Sequence, residues 1–169
     1  PVAGSAAYDV WKVLDCDNDG LTNNQEIQNN TDPKKADSDG DGVIDGTEVS
    51  DATNPLDGCS YTLASRTVAT STAWGNLDCD GDGEINSLEI TNNTDLSDAC
   101  SYTIQPVAGT AAYEVWKVLD CDNDGLTNDE EVQKGTDPQN DDSDGDGVID
   151  GTEVTDNTNP ADGCSYTLT

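Results

Sequence analysis

The sequence predicts an irregular linear repeat array, with short helical turns after each of five acidic loops, short β-strands at the junctions and no large hydrophobic core. Three observations predict it. A twelve-residue acidic pattern recurs five times, and the chain matches itself at an offset of 105 residues. Large apolar residues are also scarce: the 169 residues include no Phe and no Met, where a chain of this length ordinarily buries a substantial core.

The loop reads most cleanly at residues 37–48, DSDGDGVIDGTE. Acidic residues hold its positions 1, 3, 5, 9 and 12 and glycine holds position 6, the ligand spacing of an EF-hand calcium loop. Calcium is a hard cation that takes six to eight oxygens. Alternating carboxylates, a sharp turn at a residue free to adopt positive φ and a closing bidentate Glu deliver them. Ligands are expected from the side chains of Asp37, Asp39 and Asp41, the carbonyl of Val43, Asp45 directly or through water, and both oxygens of Glu48. Residues 15–26 offer Asp15, Asp17, Asp19, Leu21, Asn23 and Glu26, and residues 78–89 offer Asp78, Asp80, Asp82, Glu84, Asn86 and Glu89. Residues 120–131 offer Asp120, Asp122, Asp124, Leu126, Asn128 and Glu131. Residues 142–153 offer Asp142, Asp144, Asp146, Val148, Asp150 and Glu153. The expected cofactor is Ca²⁺, about five ions per chain. A merely solvated acidic face has no reason to keep its glycine and closing Glu in register five times.

Charge sharpens this reading. There are 36 acidic and 6 basic residues, for a net charge of -30, and 22 of the acidic side chains stand at ligand positions. Such a surface repels nucleic acid and anionic membranes, and no stretch reaches the roughly 20 apolar residues of a membrane span. No nucleic acid and no membrane insertion are therefore expected. His is absent, which removes imidazole acid–base chemistry and His-ligated metals. The carboxylate pairs are assigned to metal by their spacing, and nothing pairs a nucleophile with a base, so no enzyme is expected. The apolar residues placed to be buried are Ile27, Val49, Ile90, Val132 and Val154 after each closing Glu, with Ile44, Ile85 and Ile149 at position 8. The start at Pro1, without Met or signal peptide, suggests a section of something longer.

Three blocks organise the chain. Residues 1–63 match 106–168 without a gap at 50 of 63 positions. This divides the chain into a long block at 1–63 with two loops, a short block at 64–105 with one, and a long block at 106–169 with two. A repeat of this kind implies units that touch mainly their neighbours. Inside the blocks the period is 22 residues, and Cys59, Cys100 and Cys164 stand where a next loop would begin.

Each loop should run into a helix of about two turns, N-capped at position 9 by Asn23, Asp45, Asn86, Asn128 or Asp150 and stopped by a turn before Pro where one follows. Asp32, Asp95 and Asp137 are read as residues of those exit turns. An entering helix with Ser5 as cap is expected at residues 6–14, whereas the segment before Asp37 cannot form one, so paired EF-hand globules are not expected. The segments CSYTL and TVAT, and CSYTI and PVAG, read as short strands packing near a Trp. Trp11, Trp74 and Trp116 each precede a loop by four residues; they are expected to anchor small junction cores, with a carbohydrate platform as the other reading.

Six cysteines in patterned places suit disulfides in an oxidising compartment. One scheme joins Cys16–Cys59, Cys79–Cys100 and Cys121–Cys164. The other joins Cys59–Cys79 and Cys100–Cys121 and leaves Cys16 and Cys164 to neighbours. The near-constant spacing of the second scheme, 20 and 21 residues, suits a linear array in which bridged Cα atoms must come within about 7 Å.

The run of DxDxDGxxxxxE loops, separated by Thr-Asp-Pro turns and lacking regular entering helices, resembles thrombospondin type 3 repeats in their bacterial form. The junctions are similar to those of long repetitive surface proteins of Bacteroidetes-like bacteria. The resemblance implies a secreted, calcium-loaded stalk. The expected function is thus a structural segment of an extracellular or cell-surface rod or filament, with neighbouring copies or further repeats of the same protein as partners. An adhesive or dockerin-like module recognising carbohydrate or a partner protein is the alternative.

Overall fold

The computed structural model describes residues 1–165. Its helices are α1 (Ala6–Trp11), α2 (Asn23–Asn29), α3 (Asp45–Asp51), α4 (Thr72–Gly75), α5 (Asn86–Asn92), α6 (Ala111–Trp116), α7 (Asn128–Lys134) and α8 (Asp150–Asp156), with a 3₁₀ turn at Leu63–Ser65. The longest has seven residues, too short to hold its shape in water unaided. Two units are distinguishable, Pro1–Leu77 with Ile85–Ser87, and Asp78–Glu84 with Leu88–Thr169.

The helix after each loop starts one residue earlier than the capping rule suggests. Position 9 is the first helical residue, and the N-cap falls at position 8, on Thr22, Ile44, Thr127 and Ile149. Thr22 with Gln25 and Thr127 with Glu130 form capping boxes, while Ile44 and Ile149 contribute no side-chain cap. Position 9 is committed elsewhere: its N–H closes the loop on the carbonyl just before position 1. The five bonds are Asn23 to Leu14 (2.7 Å), Asp45 to Ala36 (2.9 Å), Asn86 to Leu77 (2.8 Å), Asn128 to Leu119 (2.8 Å) and Asp150 to Asp141 (2.9 Å).

At the other end the chain leaves through a left-handed residue, Asn30, Ala52, Asn93, Gly135 or Asn157. The next residue is Thr, whose N–H returns to the carbonyl of the closing Glu at 2.9–3.1 Å in all five modules. The exit aspartates sit in the turns as expected, Asp32 through its carbonyl, which accepts from the Lys34 and Lys35 N–H groups, the other two through their side chains. Asp95 Oδ1 accepts from the Ser97 N–H (3.1 Å) and Asp137 Oδ1 from the Gln139 N–H (3.2 Å).

The expected junction strands are absent: no residue among those described is in a β-strand. Their backbone groups bond to loops instead of to each other. In the first unit, Thr67 and Val68 donate to the Gly42 carbonyl (2.8 and 3.1 Å), and Ser71 donates to that of Gly40 (2.7 Å). In the second, Thr103 and Ile104 donate to the Glu84 carboxylate (3.0 and 2.9 Å), while the carbonyls of Cys100 and Tyr102 accept from Gln139 Nε2. An extended, Thr- and Val-rich segment has β propensity, but a nearby row of unpaired loop groups outcompetes a partner strand.

The core is small and its members differ from those expected. Ile27, Val49, Ile90, Val132 and Ile149 are exposed. Position 7 turns inward instead, with Leu21, Val43 and Leu126 buried. Trp74 and Trp116 are fully buried, each edge-on to a tyrosine, Tyr61 at 6.1 Å and Tyr102 at 5.9 Å. Trp74 Nε1 donates to the Gly58 carbonyl at 2.6 Å, and the Arg66 guanidinium lies 4.2 Å from the ring centroids of both Tyr61 and Trp74. These two tryptophans anchor junction cores, as expected, whereas Trp11 is only half-buried and packs beside Tyr8 at 5.7 Å.

Candidate metal-binding loops

Each loop is an arc of carboxylates held by its own amides. The position-1 Asp accepts from the position-6 glycine, at 3.1 Å for Asp15, 3.1 Å for Asp37, 3.0 Å for Asp78, 3.1 Å for Asp120 and 2.9 Å for Asp142. Those glycines have φ of 95–100°, a region that L side chains rarely enter. Position 4 is also left-handed and is filled by Asn18, Gly40, Gly81, Asn123 and Gly145, the residue types that tolerate it. The position-5 Asp accepts from the position-7 N–H, at 2.7 Å for Asp19, Asp41 and Asp124, 2.6 Å for Asp82 and 2.9 Å for Asp146. That bond turns position 7 inward and accounts for the burial of Leu21, Val43 and Leu126.

One oxygen of each position-5 carboxylate is thereby occupied; the other is free except in Asp124, where it accepts from the Gly151 N–H. Buried with no hydrogen-bond partner are one oxygen each of Asp19, Asp39, Asp41, Asp80, Asp82, Asp122, Asp144 and Asp146, and both oxygens of Asp17. Both oxygens of Glu26, Glu89, Glu131 and Glu153 are in the same condition, as is one of Glu48, although all five closing glutamates are fully buried. Burying an ionised carboxylate without compensation is among the costliest things a protein can do. Finding it at the same positions in loop after loop fits a bound cation on the inner side of each arc. The ligand oxygens of Asp15, Asp17 and Asp19 lie within 4.8 Å of one another, as do those of Asp37, Asp39 and Asp41, of Asp78, Asp80 and Asp82, and of Asp120, Asp122 and Asp124.

Electrostatics tells the same story. Burial, then the neighbouring aspartates, pushes Glu26 and Glu89 up to about 7 and Glu48 and Glu131 up to about 8. Asp39 and Asp82 rise to about 6 for the same reasons. These carboxylates lack a positive partner at neutral pH, and a divalent ion supplies one.

Two positions depart from a plain ligand list. Glu84, expected to offer only its carbonyl, buries its side chain. Burial alone would raise its pKa, but hydrogen bonds from Thr103, Asn92 and Ile104 hold it below the ordinary value; it fastens the junction to the loop. Position 9 also behaves unexpectedly. The Asn23, Asn86 and Asn128 amides donate to the carbonyls of Trp11 (2.8 Å), Trp74 (3.1 Å) and Trp116 (2.9 Å). The Asp45 carboxylate accepts from Ser38 and groups with Asp19 and Glu26 of the preceding loop.

Sequence reasoning missed Gly46 and Gly151 at position 10. A Cβ on either would lie 2.2 Å from the carbonyl oxygen of the preceding loop's position-5 Asp, Asp19 or Asp124. The signal was present: only the two loops that follow another loop have glycine there. The junction serine was also missed. Ser60, Ser101 and Ser165 accept from the N–H six residues before them, as Ser38 and Ser143 do at position 2 of a loop. A junction therefore starts as a loop does, with Cys in place of the first Asp.

Cys100 and Cys121 form a disulfide with Cα atoms 5.3 Å apart. Cys59 and Cys79 are disulfide-bonded, and Cys16 and Cys164 are free and exposed. No bridge joins Cys16 to Cys59.

Tandem metal-loop modules built on carboxylates and glycine turns, with little apolar interior, define a calcium-binding structural repeat. The bacterial TSP3 repeat family matches the chain at residues 15–36, 37–58, 120–140 and 142–163, and the chain belongs to that family. The loop at 78–89 lies outside the matched residues and repeats the same hydrogen bonds. Neither the curated proteins nor the solved structures compared contain a match. No helix among the described residues is long and apolar enough to cross a membrane.

Proposed function

We propose that the chain is a calcium-rigidified structural segment of an extracellular bacterial rod, stalk or filament, binding about five Ca²⁺ ions. The observation that carries this is the set of buried closing glutamates, nine of whose ten carboxylate oxygens have no hydrogen-bond partner. Hard, all-oxygen donor sets of Asp, Glu and carbonyl suit Ca²⁺ over softer metals. Modules of this kind outside cells bind with Kd of about 10⁻⁴–10⁻³ M, so calcium at environmental millimolar levels loads them. At ten times Kd each site contributes about 1.4 kcal/mol, and five contribute about 7, comparable to the whole stability of an ordinary domain, about 5–15 kcal/mol. The disulfides add about 3 kcal/mol each in the loop-entropy model.

The burial of Trp74 and Trp116 favours this over a sugar-binding module, which would need exposed rings. Neighbouring copies or further repeats of the same protein are its partners, and no catalytic activity is assigned. The test is small-angle scattering of the whole chain in calcium and in chelator. We expect a stiff particle that expands and loses order when calcium is withdrawn. Superimposable profiles in the two conditions would refute the proposal.

A further inference from the structure

The side chain at position 9 is chosen by what lies upstream of the loop. Three loops follow a Trp segment and have Asn there; two follow another loop and have Asp. One oxygen of this side chain accepts from the position-2 N–H of its own loop, at 2.7 Å for Asp45, 3.0 Å for Asp150 and 3.3 Å for Asn128. The chemistry of the other terminal atom differs with what lies upstream. Where a tryptophan carbonyl waits, that atom is an amide nitrogen, a donor to an acceptor. Where a metal loop waits, it is a second carboxylate oxygen, which has nothing to donate; that of Asp45 accepts from Ser38 Oγ at 2.6 Å, and that of Asp150 is buried with no partner.

In the first unit that carboxylate approaches the preceding loop closely. Ligand oxygens of Asp45, Asp19 and Glu26 lie within 4.8 Å of one another. Asp45 and Glu26 are 0 % exposed and Asp19 is 4 % exposed. Both oxygens of Glu26 and Oδ2 of Asp19 have no hydrogen-bond partner. Three buried carboxylates that converge so closely are stabilised by a cation between them. The approach is secured by Gly46, at which any side chain would strike the Asp19 carbonyl. In the second unit Gly151 makes the same approach and donates its N–H to Asp124 Oδ2 at 2.8 Å, and Asp150 Oδ2 is buried with no partner.

We propose that Asp45 serves the cation of the loop before it, at 15–26, and that Asp150 does the same for 120–131, so that the two loops of a long block load as a coupled pair. The inference rests on reading the loops as calcium sites. It makes position 9 of a second loop a ligand or outer acceptor for its neighbour, and Asp-Gly at positions 9 and 10 the sequence mark of a coupled loop. Free energy released on filling the first loop then favours docking of the second loop's helix, and the reverse holds by linkage.

A site-resolved calcium titration of the ¹⁵N-labelled full chain tests it. The Gly20 amide donates to Asp15 and the Gly42 amide to Asp37, so each reports its own loop. In Asp45→Asn the midpoint at Gly20 should rise about tenfold, a loss of about 1.4 kcal/mol, while Gly125 in the other long block stays put. Asn is the native residue at position 9 of other loops, so the variant keeps a side chain the loop accepts. Gly46→Ala should move Gly20 in the same direction. A Gly20 midpoint unchanged in Asp45→Asn, or a shift confined to Gly42, overturns the proposal. Glycine amides in the wild-type chain that ignore calcium altogether would remove the calcium reading, and this inference with it.

Discussion

At the closing glutamates, burial and negative neighbours act in one direction. Glu26, Glu48, Glu89 and Glu131 are lifted from the ordinary carboxylate value to about 7–8. Without divalent cations these groups take up protons on folding, so the order they contribute is fully present below about pH 4.5 and is lost as pH rises through about 7–8. Saturating calcium takes the place of the protons and reverses the trend, because affinity falls as the ligands protonate. Far-UV circular dichroism from about pH 5 to about pH 9 should therefore show opposite slopes in chelator and in calcium. The acidic arcs were legible because their spacing in the sequence brings the carboxylates together. The buried apolar residues were not. Ile27 and Val49 follow the closing Glu in a helix whose inward face that Glu already occupies, whereas Leu21 and Val43 are pulled in by an amide bonded to Asp19 or Asp41.

The recurring element is loop, short helix and left-handed exit, and its weak point is Ala52. Its φ is 61°, where a Cβ crowds the following carbonyl, and the equivalent residue of the other long block, Asn157, is better suited. Ala52→Gly should stabilise the calcium-loaded first unit by about 1 kcal/mol, read as a higher thermal midpoint; an unchanged or lower one would contradict the strain. The exit helices were legible from their start signals to within one residue. The junction strands were misread because local propensity cannot see that the Gly40 and Gly42 carbonyls, or the Glu84 carboxylate, wait as partners far away in sequence. The disulfide at Cys100 and Cys121 was legible, because a 21-residue spacing spans a single junction.

Across the whole molecule, the proposed ions would take the part that an apolar core takes elsewhere. The buried hydrophobic residues number six among those described, while sixteen polar or charged residues are buried, an inversion that stands only if the carboxylates have cations to face. A charge of -30 would otherwise drive the chain apart, and the five divalent ions proposed would cancel a third of it. The repeat organisation was legible from self-matching alone. The close approach of Gly46 to Asp19 was overlooked, because its sequence mark, glycine at position 10, shows only when the loops are compared with one another. The most direct measurement is the number of calcium ions held per chain at saturation, by equilibrium dialysis with atomic emission. The account predicts about five, falling by at least one when Glu48 is replaced by Gln; a chain that holds none, or whose bound calcium is indifferent to that replacement, would contradict it.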